Sequence, residues 1–180
     1  MKNFMFAAIA AAAMAFAGVA SADTYVGVGA STSITDVGSF SLDDGMNLDV
    51  VAGTDVDGIL RVEGRAARLN QDTNLFGATV QVSAIQLGAD AFVDIGTGTR
   101  VTPYVGAGFQ YTDGQAGLLG SNIDFNGWGY NAQVGARVKL TESVSLDAGV
   151  RYGVNELNAD VFGDFDATQT ELRVGVDVAL

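Results

Sequence analysis

Apolar and polar residues alternate strictly between Trp128 and Leu140. In the stretch WGYNAQVGARVKL every second position is apolar, and the positions between are polar or glycine. Side chains alternate between the two faces of a β-strand, so this pattern predicts a strand with one apolar and one polar face. A soluble barrel would turn the apolar face inward, whereas a membrane barrel would turn it outward to lipid.

The same alternation recurs along the chain after its first 24 residues. It predicts eight strands, at residues 25–34, 46–54, 59–69, 84–94, 101–111, 128–140, 144–155 and 168–180. An even number of strands, each with about the 9–11 residues needed to cross a bilayer at a tilt, is typical of membrane barrels. The fourth strand is irregular, because the apolar parity changes between Ala84 and Ile85. Either this strand starts near Ile85 or a β-bulge resets it.

The connectors alternate in length. The short ones are residues 55–58, 95–100 and 141–143, and the long ones are residues 35–45, 70–83, 112–127 and 156–167. In an antiparallel meander all short turns then lie at one end and all long loops at the other, as in outer-membrane barrels with periplasmic turns and extracellular loops. The predicted fold class is all-β, an eight-stranded antiparallel up-and-down transmembrane β-barrel.

Charge is nearly confined to the polar face of these strands. Arg68 is the exception on the apolar face, at a strand end where its long side chain can reach headgroups. The polar face carries equal numbers of cations and anions although the chain has a net charge of -12, and such a balance suits a closed lumen in which charges must be paired. The predicted lumen network consists of Asp49, Arg61, Glu63, Arg65, Asp90, Arg137, Lys139, Asp147, Arg151, Glu171, Arg173 and Asp177.

Four aromatic residues mark the long-loop end of one hairpin. Phe109 and Tyr111 end the fifth strand, and Trp128 and Tyr130 begin the sixth, all on the apolar face. Aromatic side chains at this position predict a membrane-interface girdle. Together with the glycine-rich polar face, they favour a barrel whose apolar face points outward.

The N-terminal segment has the features of a secretory signal peptide. A short basic head with Lys2 precedes an apolar stretch, residues 4–20, and small residues Ala20 and Ala22 flank a cleavage position. We therefore expect a signal peptide at residues 1–22, cleaved near Ala22, and a barrel domain at residues 23–180. No later apolar run approaches the roughly 20 residues of a membrane helix, so a mature chain that crosses a membrane must do so as a closed barrel.

Composition narrows the chemistry. The chain has no Cys and no His, which excludes thiolate metal sites and hydrolase mechanisms that need a His as the base. Its acidity disfavours nucleic acid as a partner. Glu63 and Glu171 could in principle form an acid–base pair, but ion pairs with Arg61, Arg65 or Arg173 are the simpler interpretation. We predict no enzyme activity, no catalytic residue, no cofactor and no metal site.

The long loops carry the excess negative charge. They contain no Lys or Arg. One interpretation is divalent-cation binding or docking on cation-bridged lipopolysaccharide, and the favoured one is solvated loops that repel one another by charge and keep the surface soluble. Their acidic residues are Asp36, Asp43, Asp44, Asp72, Asp113, Asp124, Glu156, Asp160, Asp164 and Asp166.

Two segments carry a family resemblance. VTPYVGAGFQYT at residues 101–112 and LTESVSLDAGVRYGVN at residues 140–155 resemble the small eight-stranded outer-membrane barrels, which include the OmpA transmembrane domain, OmpX and opacity-like surface antigens. The resemblance implies insertion by the outer-membrane assembly machinery and contact with outer-membrane lipid and lipopolysaccharide. Such chains usually end in an outward aromatic residue, whereas this one ends in Leu180.

Three functions remain open on this basis. The favoured hypothesis is an outer-membrane protein with a structural or surface-recognition role, its lumen filled by a salt-bridged network and an unidentified extracellular partner meeting the four long loops. The alternative is a small porin-like channel for ions or small solutes. The third is a soluble periplasmic barrel that binds an apolar ligand.

Overall fold

The computed structural model describes residues 24–38, 40–75, 78–118, 121–159 and 163–180. These residues form eight β-strands. They are β1 (Thr24–Val37), β2 (Phe40–Asp55), β3 (Leu60–Leu75), β4 (Ala78–Asp94), β5 (Val101–Leu118), β6 (Ser121–Lys139), β7 (Val144–Ala159) and β8 (Gly163–Ala179). The expected signal peptide, residues 1–22, lies outside the described residues. The described part contains no helix that is long and apolar enough to cross a membrane.

The strands close into a barrel in sequence order. Each strand pairs antiparallel with the next, and β8 returns to β1 in a continuous ladder from Tyr25↔Ala179 to Val37↔Ala167. Among the described residues, the register shifts between β1 and β2, at Ser33 to Thr35. The predicted fold class, an eight-stranded up-and-down barrel, is confirmed.

The prediction of four long loops is wrong. Most of residues 35–45, 70–83, 112–127 and 156–167 continue the strands, since β1 extends to Val37, β3 to Leu75, β5 to Leu118 and β7 to Ala159. At the opposite end, the three connectors are residues 56–59, 95–100 and 140–143. In the first of these turns the Asp57 carboxylate accepts backbone hydrogen bonds from Leu60 at 2.8 Å and Ile59 at 3.1 Å, which lower the pKa of Asp57.

A reversal of face polarity explains the misplaced strand ends. On β4 the outward residues Ile85 and Leu87 are exposed and apolar, but Gln81 and Ser83, further along the same face, are polar. The inward face does the opposite, since Ala84 is buried and apolar whereas Gln86 is buried and polar. The β3–β4 ladder runs from Leu60↔Val93 to Leu75↔Ala78 without a shift, so neither a late start near Ile85 nor a bulge is present. Along β4, the outward face instead changes from apolar to polar and the inward face from polar to apolar.

Candidate functional site

Glycines make room for the large side chains inside the barrel. Tyr104 lies across Gly135 and Gly149, so that a Cβ atom on Gly149 would stand 2.6 Å from the Tyr104 hydroxyl. Arg173 likewise lies across Gly29 on the neighbouring strand β1 and Gly175 on its own strand β8. An eight-stranded barrel has an interior just wide enough for side chains to fill it, and here glycine opposite a bulky residue achieves that filling.

A first group of charges, the lower cluster, occupies the short-turn end of the lumen. Arg61 pairs with Glu63 and, at 3.2 Å from Nε, with Asp94, and its guanidinium lies 4.0 Å from the centroid of the Phe92 ring. The Tyr25 hydroxyl donates a hydrogen bond to Glu63. Arg137 belongs to the same cluster. Its guanidinium lies 3.5 Å from Asp177, 3.7 Å from Glu63, 4.0 Å from Asp55 and 4.4 Å from the Tyr25 ring centroid.

A second group, the middle cluster, fills the next level of the lumen. Arg173 pairs with Asp49 at 2.8 Å and with Asp147 at 2.9 Å, so it links β8 to β2 and β7. Arg65 pairs with Glu171 and lies 3.4 Å from Asp49. In the same cluster, Arg151 Nη2 lies 2.7 Å from Asp90, whose other oxygen accepts a hydrogen bond from Asn131 at 3.0 Å. Every cation of the cluster therefore has a carboxylate partner.

The structure brings most of the predicted lumen residues together. Ten of the twelve are buried and Arg173 is partly buried. The prediction that Lys139 belongs to the lumen network is wrong. Lys139 is exposed at the rim where β6 ends and so lies outside the interior. Asp94, Tyr25 and Tyr104 were missed. Tyr25 lies on the same strand face as Gly27, and Tyr104 on the same face as Gly106. This position on the polar, glycine-containing face is the sequence feature that would have predicted both tyrosines to be inside the barrel.

Above the charges the interior becomes neutral and then apolar. An amide layer includes Gln110, which donates to Asn155 at 2.8 Å, and Gln86, which donates to Thr112 at 3.3 Å. Beyond it, the β4–β8 side of the lumen ends in a group that we call the apolar cap. The apolar cap consists of the inward residues Val80, Ala84, Phe125, Leu157 and Ala167.

The interior is filled at every charged and amide level. Arg61, Gln110 and Glu171 are each 1% exposed and Asn47 is 0% exposed. A water-filled pore would leave its lining side chains accessible to solvent. Glu63 and Glu171 belong to different clusters, and among the described residues no three acidic side chains are grouped closely enough to hold a metal ion.

The outer surface is apolar over the middle of the barrel and acidic at the end opposite the short turns. Phe109, Trp128 and Tyr130 are 61%, 63% and 62% exposed, and the rings of Tyr111 and Trp128 lie 5.0 Å apart. The outward residues beyond these aromatics are exposed and polar or acidic. They include Asp113, Gln115, Asp124, Asn126, Glu156, Asn158, Asp164 and Asp166.

Comparisons with known proteins agree with this geometry. Neisserial surface protein A, a solved structure, is 25% identical with a TM-score of 0.73, over 87% of this chain and 97% of that chain. OprG from Pseudomonas aeruginosa is 16% identical with a TM-score of 0.63, over 88% and 96% of the two chains. The attachment invasion locus protein Ail of Yersinia pestis, solved with the heparin analogue sucrose octasulfate, is 12% identical with a TM-score of 0.62, over 88% and 99%.

No curated protein sequence matches the chain. The model of the outer membrane protein beta-barrel domain family, in contrast, matches residues 4–178, nearly the whole sequence. An outer-membrane location excludes the soluble periplasmic barrel and places lipid against the apolar outer face. The chain therefore belongs to the outer membrane protein beta-barrel domain family.

Proposed function

We propose that the protein is a non-conducting, non-catalytic surface barrel whose extracellular strand ends form a recognition surface. The observation that carries the first part is the filled interior, in which Arg61, Gln110 and Glu171 are 1% exposed at three successive levels. Because each level is occupied by paired or hydrogen-bonded side chains, ions would have to displace them in order to pass. The polar network thus acts as a plug that holds the shape of the barrel.

The recognition surface is the acidic outer face of β5–β8 beyond the aromatic residues. Glu156 and Asp166 lie directly opposite each other on β7 and β8, and both are exposed. Like charges in a cross-strand pair are destabilising, so this pair weakens the sheet where it leaves the membrane. An approaching cationic group would relieve that repulsion.

The charge of this surface indicates the chemistry of its partner. Ten acidic residues and no Lys or Arg occur in the four segments at the extracellular end, which are residues 35–45, 70–83, 112–127 and 156–167. A polycationic partner therefore fits better than a sulfated glycan such as the sucrose octasulfate carried by the Ail structure.

Two experiments test the proposal. In planar lipid bilayers with molar KCl, we expect no unitary conductance steps from the purified protein, whereas regular steps would establish the channel. For the surface, poly-lysine should bind the folded protein and sucrose octasulfate should not. The double variant Glu156→Gln/Asp166→Asn should bind poly-lysine more weakly, and Glu142→Gln, in a turn at the opposite end, serves as the matched control. Equal binding by both variants would refute the assignment.

The porin-like channel is the second candidate, and one observation favours it. Several buried polar atoms in the lumen have no hydrogen-bond partner among the described residues, including Arg137 Nε, Asp177 Oδ1, Arg65 Nε and Glu171 Oε2. Buried groups of this kind are commonly satisfied by internal water. A file of such waters would connect the lower and middle clusters, and the conductance measurement above decides whether it carries ions.

A further inference from the structure

Arg68 differs from every other cation among the described residues. It lies on the outward face of β3 and is exposed, whereas Arg61, Arg65, Arg137, Arg151 and Arg173 point into the lumen. The other two, Arg100 and Lys139, are exposed at the short-turn end. Arg68 is therefore the single described cation on the outer surface of the extracellular half.

The position of Arg68 coincides with the edge of the apolar belt. Its register partners Leu48 on β2 and Ile85 on β4 are exposed apolar residues. One step further along the same face, Asn70 and Ser83 form the next outward pair, and both are exposed and polar. This is the level at which a lipid-facing strand passes from acyl chains to headgroups.

The surroundings of Arg68 leave its guanidinium available. No carboxylate of a described side chain lies within ion-pair distance of it. Guanidinium groups match phosphate oxygens in shape as well as charge, and the amide and hydroxyl groups of Asn70 and Ser83 add hydrogen-bond donors beside it. On β5–β8 the corresponding outer surface is acidic and would repel phosphate unless a cation intervened.

We propose that Arg68, Asn70 and Ser83 form a docking surface for a phosphate group of the phosphorylated glycolipid in the outer leaflet. The occupant is a lipid because this surface is continuous with the lipid-facing apolar belt. The contact would fix glycolipid on the β3–β4 side of the barrel and leave the acidic β5–β8 side to other partners. This inference does not depend on whether the barrel conducts ions.

The test uses the folded protein in detergent, with bisphosphorylated lipid A as the probe and native mass spectrometry as the readout. We expect Arg68→Gln to lower the retained lipid A about fivefold, the contribution of roughly one interfacial cation, and Arg68→Lys to restore part of it. Arg100→Gln, which removes an exposed arginine at the opposite end, should retain lipid A like the unchanged protein.

Three outcomes would overturn the proposal. The first is equal retention by Arg68→Gln and the unchanged protein. The second is an equal loss in the Arg100→Gln control, which would indicate a general effect of charge. The third is equal retention of lipid A that lacks phosphate, or of phosphatidylglycerol, because the surface would then not recognise the glycolipid phosphate. A heat-dependent shift in gel mobility shows in each case that the variant is folded.

Discussion

The ring of Phe125 on β6 occupies the space that a Cβ atom on Gly114 of β5 would need. Such an atom would stand 2.5 Å from Phe125 Cζ and 2.7 Å from the Cβ atom of Ala84 on β4. Because Gly114 has no side chain, the Phe125 ring of β6 and Ala84 of β4 both lie close to the backbone of β5. This contact lies inside the barrel beyond the aromatic residues of its outer face, where the interior has become apolar.

The first prediction follows from this contact. Gly114→Ala should destabilise the barrel by about 1–3 kcal/mol, because an overpacked core forces its side chains and backbone to shift. Gly88→Ala is the matched control, since a Cβ atom there has its nearest neighbour at 3.5 Å. We expect the control to be neutral or slightly stabilising, because alanine lowers the entropy of the unfolded chain. Urea unfolding followed through the single tryptophan measures both variants, and equal midpoints would contradict the contact.

The second prediction concerns the buried ion pair of Arg151 and Asp90. Arg151→Gln leaves the Asp90 carboxylate with Asn131 as its remaining partner and should cost about 3–5 kcal/mol, the usual effect of stranding a buried charge. Asp90→Asn combined with Arg151→Gln should recover most of that loss, because neither charge is then left alone. The double-mutant cycle requires four unfolding curves, for the unchanged protein, Arg151→Gln, Asp90→Asn and the double variant. A loss in the double variant equal to the sum of the single losses would show that the two residues do not interact.

The alternation of apolar and polar residues predicted the barrel, its strand number and its closure, but it misplaced the strand ends. At Asp113 and Asp124 the outward residues become polar because they leave the lipid, while inward Phe125 and Ala84 are apolar and lie around Gly114 inside the barrel. The residues still alternate, but the outward positions are now polar and the inward positions apolar. A prediction that follows a single apolar face therefore ends the strand at this reversal and assigns a loop. The exchange is confined to one side of the barrel, because the inward residues Ser33, Asn47 and Gln71 of β1–β3 remain polar.

The face of each lumen residue was predictable, but its partner was not. Parity places Arg65 and Glu171 inside the barrel, yet they lie 106 positions apart in the chain and meet only because closure brings β8 beside β1 and opposite β3. Strand parity carries no information on such distant pairs. Tyr25 and Tyr104 escaped prediction for a different reason, because their hydroxyls function as polar lumen groups while their rings fill the space beside glycines.

The third prediction tests the exchange of faces directly. The chain contains no cysteine, so single cysteines can be placed without background. Gln115→Cys should react with a membrane-impermeant maleimide on intact cells, because this position is exposed beyond the aromatic residues on β5. Ala107→Cys, on the same face of the same strand but within the apolar belt, should remain unlabelled. Labelling of both positions, or of neither, would contradict the position of the membrane boundary between them.

The fourth prediction separates the stability of the apolar cap from closure of the lumen. Phe125→Ala combined with Leu157→Ala removes two large side chains of the cap, and Leu157 alone, at 8% exposure, should cost about 2–5 kcal/mol on truncation. The variant should nevertheless remain non-conducting in planar bilayers, because Gln110, Glu171 and Arg61 fill the lumen at the levels below. Its midpoint of urea unfolding should fall while the bilayer current stays flat. Conductance steps in this variant and not in the unchanged protein would show that the apolar cap is the barrier to ions, and that the charged layers beneath it admit them.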